Sequence, residues 1–178
     1  MREVLRNTAR RWRRGLLGGV TMLIIEGPDG AGKSTLICSL RTAYPTLKLS
    51  PRACTSLAGP LSGDSLIAWL KKYGALDGHI YDRHPCISGP VYGAVYADPP
   101  EERTWTWIQS TFYEIRENAK VIYCRPPRRE IIRAVNESAQ MGGVDRNIHR
   151  IVDTYDAIMA SMVPHERYDW TKDGLPSL

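Results

Sequence analysis

The chain has 178 residues, 43% of them hydrophobic and 24% charged, enough for one domain with its own core and too short for two. No apolar run approaches the roughly 18 residues of a membrane span, and the scattered cysteines, Cys38, Cys54, Cys86 and Cys124, make neither a C-x-x-C zinc pattern nor a disulfide frame; they are expected as reduced thiols in a cytoplasmic protein. The net charge of +5 falls wholly in residues 1–21, where Arg2, Arg6, Arg10, Arg11, Arg13 and Arg14 face Glu3 alone, so the neutral remainder gives weak support for a nucleic-acid-tracking surface.

Residues 1–21 precede the first core strand and lack the apolar stretch of a signal peptide. They read as a transit peptide, a nucleic-acid arm, or a poorly ordered basic extension ahead of a functional domain over 22–178; the last is preferred. From there strand and helix alternate, which predicts a parallel sheet with helices on both faces. "MLIIE" (22–26) is a buried strand, followed by a Gly-rich loop and a helix from Lys33 to about Thr42, stopped before Pro45. "TLKL" (46–49) is a second strand, and "SGDSLIAWLKKYG" a helix with a cap at Ser62 or Asp64 and a stop at Gly74. "HIY" (79–81) is a third strand. "EERTWTWIQSTFYEIRENA" sets Trp105, Ile108, Phe112 and Ile115 at helical spacing. "KVIYC" (120–124) is a fourth strand, "RREIIRAV" a short helix, and "NESAQMGGVDRN" a polar loop. "IHRIVDTYDAIMASM" is a helix with Ile148, Ile151, Val152, Tyr155, Ile158, Met159 and Met162 on one face, and "RYDW" (167–170) the last strand.

The Gly-rich loop carries the chemistry. "GPDGAGKS" fits G-x-x-x-x-G-K-[ST], and it stands where the motif requires, after a strand and before a helix. Backbone N–H groups over Gly27, Gly30, Ala31 and Gly32, with Thr35 behind them, suit a nucleotide's phosphates, and the helix that starts at Lys33 adds its positive end. Lys33 is expected to reach the β- and γ-phosphates and the Ser34 hydroxyl to ligate Mg²⁺. Asp29 is the odd residue, a carboxylate inside a loop built for anions. On its own it reads either as a solvated turn residue or as a contact to something other than phosphate.

"IIEGPDGAGKSTL", with "YDRH" at the end of a later strand, resembles the thymidylate kinase branch of the P-loop nucleotide kinases, most nearly the phage-type deoxynucleoside monophosphate kinases. The likeness runs in order over residues 22–170. It implies a three-layer α/β P-loop fold with a five-stranded parallel sheet of order 2-3-1-4-5, a mobile lid over about 128–147, Mg²⁺-ATP as donor, a thymidylate-like deoxynucleotide as acceptor and a homodimer. By that resemblance Asp29 hydrogen-bonds the acceptor sugar, Asp82 holds Mg²⁺ through water, and Arg83 grips the acceptor phosphate with its planar fork. His84 stands where relatives often carry Tyr or Trp. After the second strand the family's Arg-Glu-Pro is replaced by "SPRACTSLAGP", where Arg52 is the plausible phosphate ligand. The arginine that some members carry inside the loop is replaced by Gly30-Ala31. Transition-state charge then needs a lid-region arginine from among Arg125, Arg128, Arg129, Arg133 and Arg146, of which Arg129 or Arg133 is preferred. Trp69 reads as a stacking partner for the acceptor base or as core beside Leu66, Ile67 and Leu70.

Two function classes follow. One is a small-molecule kinase acting on deoxynucleoside monophosphates or on nucleosides; the other is a polynucleotide or modified-base DNA kinase that uses the basic arm. Lys33, Ser34 and Asp82 together argue against a loop that binds without chemistry.

Overall fold

The structure, a computed structural model, describes residues 22–55, 59–138 and 142–178. In chain order the elements are β1 (Met22–Glu26), α1 (Lys33–Ala43), β2 (Lys48–Leu49), β3 (Cys54–Thr55), β4 (Gly59–Pro60), α2 (Gly63–Tyr73), β5 (His79–Asp82), α3 (Pro85–Tyr96), α4 (Glu102–Asn118), β6 (Ala119–Cys124), α5 (Arg128–Asn136), α6 (Val144–Met162) and β7 (Glu166–Tyr168). The basic segment 1–21 and residues 139–141 of the expected lid lie outside the described residues.

Every residue of β1 is buried, and such a strand needs neighbours on both edges and layers on both faces. β5 pairs with it in parallel on one edge, setting Ile25 opposite Asp82; β6 pairs on the other, setting Glu26 opposite Tyr123. With β2 outside β5 and β7 outside β6, the sheet runs β2-β5-β1-β6-β7, all parallel. Counting only its own strands, this is the expected order 2-3-1-4-5.

The alternation of β1 sorts the two layers. Leu23 and Ile25 join Leu36, Ile37 and Leu40 of α1 on one face. Met22 and Ile24 face the larger core built from α2 to α6, which includes Leu70, Ile87, Val91, Ile108, Ile131, Ile151 and Tyr155. Each fully buried aliphatic side chain contributes roughly 1.5–3 kcal/mol relative to exposure. The C-termini of the five strands in this sheet point the same way, so β1, β5 and β6 deliver their last residues to one edge, where such sheets bind ligands.

Several sequence expectations need correction. The sequence reading assigns no element to "PCISGPVYGAVY", in which Gly89, Pro90 and Gly93 are poor helix formers. It nevertheless forms α3, with Cys86, Ile87, Val91 and Val95 buried and the Cys86 N–H donated to His84 Nδ1 at 3.2 Å. Burial of that stripe and the His84 cap outweigh propensity. The second strand is shorter than 46–49, since Leu47 turns back to bond Tyr44 O at 3.0 Å. The polar loop ends earlier than Asn147: α6 starts at Val144, whose side chain is buried in register with Ile148. The last strand is Glu166–Tyr168, not 167–170, because Asp169 accepts the Thr171 N–H at 3.1 Å and bends the chain. β3 and β4, an antiparallel pair, were not expected at all.

Candidate phosphate-binding site

The loop between β1 and α1 has the conformation that its glycines allow. Gly30 has φ +73 and Gly32 φ +84, left-handed values that a side chain resists. Space is also tight. A Cβ on Gly30 would lie 2.8 Å from the Ile131 carbonyl oxygen, so the backbone of α5 rests directly on the loop. One on Gly32 would lie 2.8 Å from Cδ1 of Trp170, an indole that is 40% exposed. α1 then starts at Lys33, and its first N–H groups and dipole face the loop, a ready anion site.

Lys33 is buried and donates from Nζ to Pro28 O at 2.6 Å, across its own loop. Burial, then the nearby Arg83, pushes its ammonium down to about 8, against the pull of Asp29 and Asp82. A bound polyphosphate would hold it charged. Ser34 and Thr35 follow on the exposed side of the same turn.

Asp29 does not face open solvent. Its Oδ1 accepts from Arg83 Nη2 at 2.8 Å and its Oδ2 from the Tyr92 hydroxyl at 2.5 Å. Burial would raise the carboxyl, but Arg83, then Lys33 and Tyr92, outweigh it and hold it down to about 2. Arg83 is fixed from several sides. Its φ is +66, rare for a side-chain-bearing residue and commonest at functional sites. Its N–H donates to Ile25 O at 3.0 Å, its Nε to Gly27 O at 3.3 Å, and the guanidinium lies 5.4 Å from the Tyr92 ring centre. Tyr92 escaped the sequence reading because α3 did; no local signal marks it.

Asp82, at the tip of β5, forms an ion pair with Arg52. On β3, burial pushes the Cys54 thiol up, and the charges of Arg83, Asp29 and Arg52 act on it as well. The structure thus brings Lys33, Asp29, Arg52, Asp82 and Arg83 to one place, at the strand C-termini. Ser34 and Asp82 offer the hard oxygen donors that Mg²⁺ takes, and Asp82 lies near enough to Lys33 for their charges to interact. This donor set fits Mg²⁺.

Other expected residues lie elsewhere. Trp69 is 6% exposed, packed edge-on to Tyr81 and His84, and has no open ring face for a base to stack on; its indole N–H lacks a partner among the described residues. Arg129 and Arg133 both turn to Glu130 on the exposed side of α5, whereas the side that meets the loop is Ile131, Ala134 and Val135. Arg125 is held by both oxygens of Asp156, each at 2.8 Å, and Arg128 pairs with Asp153. Arg146 is exposed on α6. His84 is a structural residue: buried, with Nε2 on Gly74 O at 2.9 Å and Nδ1 capping α3, and burial pushes it down to about 4.

The same arrangement of strands occurs in solved structures. The chain matches the YorR protein of Bacillus subtilis, solved with phosphorylated GDP, with a TM-score of 0.63 and 22% identity over 85% of this chain and 87% of that one. The chain shares that protein's α/β P-loop fold, with the five-stranded parallel sheet in order 2-3-1-4-5. Deoxyadenosine kinase from M. mycoides with bound dATP matches with a TM-score of 0.59 and 16% identity, over 86% of this chain and 93% of that one. The same kinase with the products dCMP and dCDP matches at 0.56 and 16%, over 85% and 91%. No protein-family profile and no curated protein matches the chain. Among the described residues no helix is long and apolar enough to cross a membrane.

Proposed function

We propose that the protein is an ATP-dependent kinase whose acceptor is a deoxynucleoside monophosphate, thymidylate-like in its demands. The observation that carries this reading is the 2.8 Å pairing of Asp29 with Arg83. It ties the odd carboxylate of the phosphate loop to the arginine at the end of β5, so that the two side chains act as one unit. On this reading Asp29 takes the acceptor sugar hydroxyl, and Arg83 with Arg52 takes the acceptor phosphate through charge-assisted bonds.

The chemistry of the acceptor decides between monophosphate and nucleoside. A nucleoside presents a neutral hydroxyl and needs a carboxylate base. The stretch "SPRACTSLAGPL" (50–61) contains no Asp or Glu, and the carboxylates at the site, Asp29 and Asp82, are each engaged by an arginine. A monophosphate is already anionic, needs no base, and suits a site where Lys33, Arg52 and Arg83 outnumber those two acids. The loop N–H groups and Lys33 hold the donor's phosphates in line, and the half-exposed Trp170 indole borders the same loop at Gly32. Mg²⁺ on Ser34 and Asp82 would neutralise charge on the donor's terminal phosphate oxygens. The developing charge is further met by Lys33 and by an arginine delivered from α5, Arg129 or Arg133, after it leaves Glu130.

The mycoplasmal kinase is named for a nucleoside acceptor, so the deciding experiment is a coupled ADP-release assay over nucleosides, nucleoside monophosphates and a 5′-hydroxyl oligonucleotide. It is run with wild type, with Arg83→Ala and with residues 1–21 removed. A monophosphate should be the best acceptor. Arg83→Ala should lower its kcat/KM by about 10- to 100-fold, the equivalent of roughly 1.5–3 kcal/mol. A nucleoside used better than its monophosphate overturns the reading; oligonucleotide use lost on trimming points instead to a DNA kinase.

A further inference from the structure

Glu26, the last residue of β1, is wholly buried where the strand enters the phosphate loop. Its carboxyl joins three parts of the fold. Oε1 accepts the His84 N–H at 2.6 Å, while Oε2 accepts the Tyr155 hydroxyl of α6 at 3.1 Å and the Gly27 N–H at 3.4 Å. An acid is an unfavourable core residue: burial pushes it up to about 7, against the pull of the His84 N–H and the charges of Arg83 and Lys33.

The shortest of these bonds lies one residue from Arg83. That arginine sits in a left-handed bend, with φ +66 and its own N–H tied to Ile25 O at 3.0 Å. The bend is therefore clamped on both sides, by Ile25 O before the side chain and by Glu26 Oε1 after it. So held, the guanidinium leaves the strand end toward the loop and reaches Gly27 O and Asp29. Without an acceptor for the His84 N–H, the turn keeps only the clamp at the Arg83 N–H, and its relaxation from the disfavoured φ is opposed less strongly.

We infer that Glu26 is a positioning residue for the acceptor-side arginine: its carboxyl, steadied by Tyr155, holds the 82–84 turn in the bend that aims Arg83 across the phosphate loop. The inference rests on the kinase reading but not on the identity of the acceptor. Its role is that of a hydrogen-bond acceptor, so glutamine can replace it and an apolar side chain of similar length cannot.

The test is isothermal titration of the full chain with the acceptor that the ADP-release panel identifies, and separately with a non-hydrolysable ATP analogue. A failure of the monophosphate reading changes the ligand titrated and not the comparison. Glu26→Met should weaken the acceptor at least tenfold and the analogue less than threefold. Glu26→Gln should restore acceptor affinity to within about threefold of wild type. In an Arg83→Ala background, Glu26→Met should cost nothing further, because its effect runs through Arg83. Equal loss for both nucleotides, full additivity with Arg83→Ala, or a glutamine variant as weak as methionine each overturns the assignment. Should Glu26→Met not fold, Tyr155→Phe serves: it removes one anchor of the carboxyl, should weaken the acceptor about threefold only when Arg83 is present, and unchanged acceptor binding overturns the inference.

Discussion

The seat of α5 on the phosphate loop can be tested with a methyl group. Gly30→Ala adds a Cβ 2.8 Å from the Ile131 carbonyl oxygen, 3.1 Å from Val135 Cγ2 and 3.2 Å from Ala134 Cβ, at φ +73. The left-handed backbone costs an alanine about 1–2 kcal/mol, and forcing a methyl against helix backbone adds about 1–3 kcal/mol. A loss near 3 kcal/mol lowers the Tm of a chain this size by about 6–12 °C. Gly32→Ala separates the two costs. Its φ of +84 gives the same backbone penalty, but its Cβ meets the half-exposed ring of Trp170, which has room to move. It should lose only about 1–2 kcal/mol. Gly174→Ala, with nothing within 4 Å, should lie within about 0.5 kcal/mol of wild type. The assay is thermal melting of the unliganded protein, followed by the KM for ATP. Equal melting shifts for the Gly30 and Gly32 variants would refute the argument, because α5 would then yield as easily as a surface side chain.

Other outcomes follow from the site. Lys33→Ala should leave the fold intact and reduce turnover by on the order of a thousandfold or more; near-normal turnover would place the chemistry elsewhere. Asp29→Asn should raise the acceptor KM about 10- to 100-fold through loss of a charge-assisted bond, with the ATP KM within about threefold; the reverse pattern would assign Asp29 to the donor. Stability should also report Glu26. Its folded value of about 7 lies above the ordinary 4.5, so the folded chain keeps a proton that the unfolded chain releases between them, and stability falls as pH rises through that window. Glu26→Gln removes this loss, on the order of 3 kcal/mol. Its Tm relative to wild type should therefore be higher at pH 8 than at pH 5, and a difference that does not change with pH would contradict the buried, protonated carboxyl.

What could be read from the sequence was what lies close together along the chain. The phosphate loop declares itself because its glycines, Lys33 and Ser34 all fall within residues 27–34, β1 and β6 because they are short unbroken apolar runs, and α4 because its apolar residues keep a helical period. α3 stayed hidden because its stability comes from Ile87, Val91 and Val95 meeting the core, while Gly89, Pro90 and Gly93 speak locally against a helix. With α3 went Tyr92, 63 residues from the Asp29 it touches, and for the same reason the bond from Tyr155 to Glu26, 129 residues away, has no local trace. Trp69 was ambiguous since an amphipathic stripe does not tell core from pocket; its contacts with Tyr81 and His84 decide. The two preferred lid arginines, Arg129 and Arg133, were ambiguous for a different reason. They are long, solvated and paired with Glu130, so their place on the helix does not fix where they act.

The two arginines proposed for the acceptor phosphate already hold carboxylates of the chain: Arg83 with Asp29, and Arg52 with Asp82. A pocket of bare cations gathers small anions from the buffer and expels them when its ligand arrives, which makes affinity fall steeply as ionic strength rises. Here the displaced anion is a tethered side chain, so ligand entry is an exchange that releases few ions to solution. Acceptor affinity should therefore vary less with ionic strength than two unpaired arginines would dictate. Chloride and sulfate, meanwhile, must compete against carboxylates whose attachment to the chain keeps them at high local concentration.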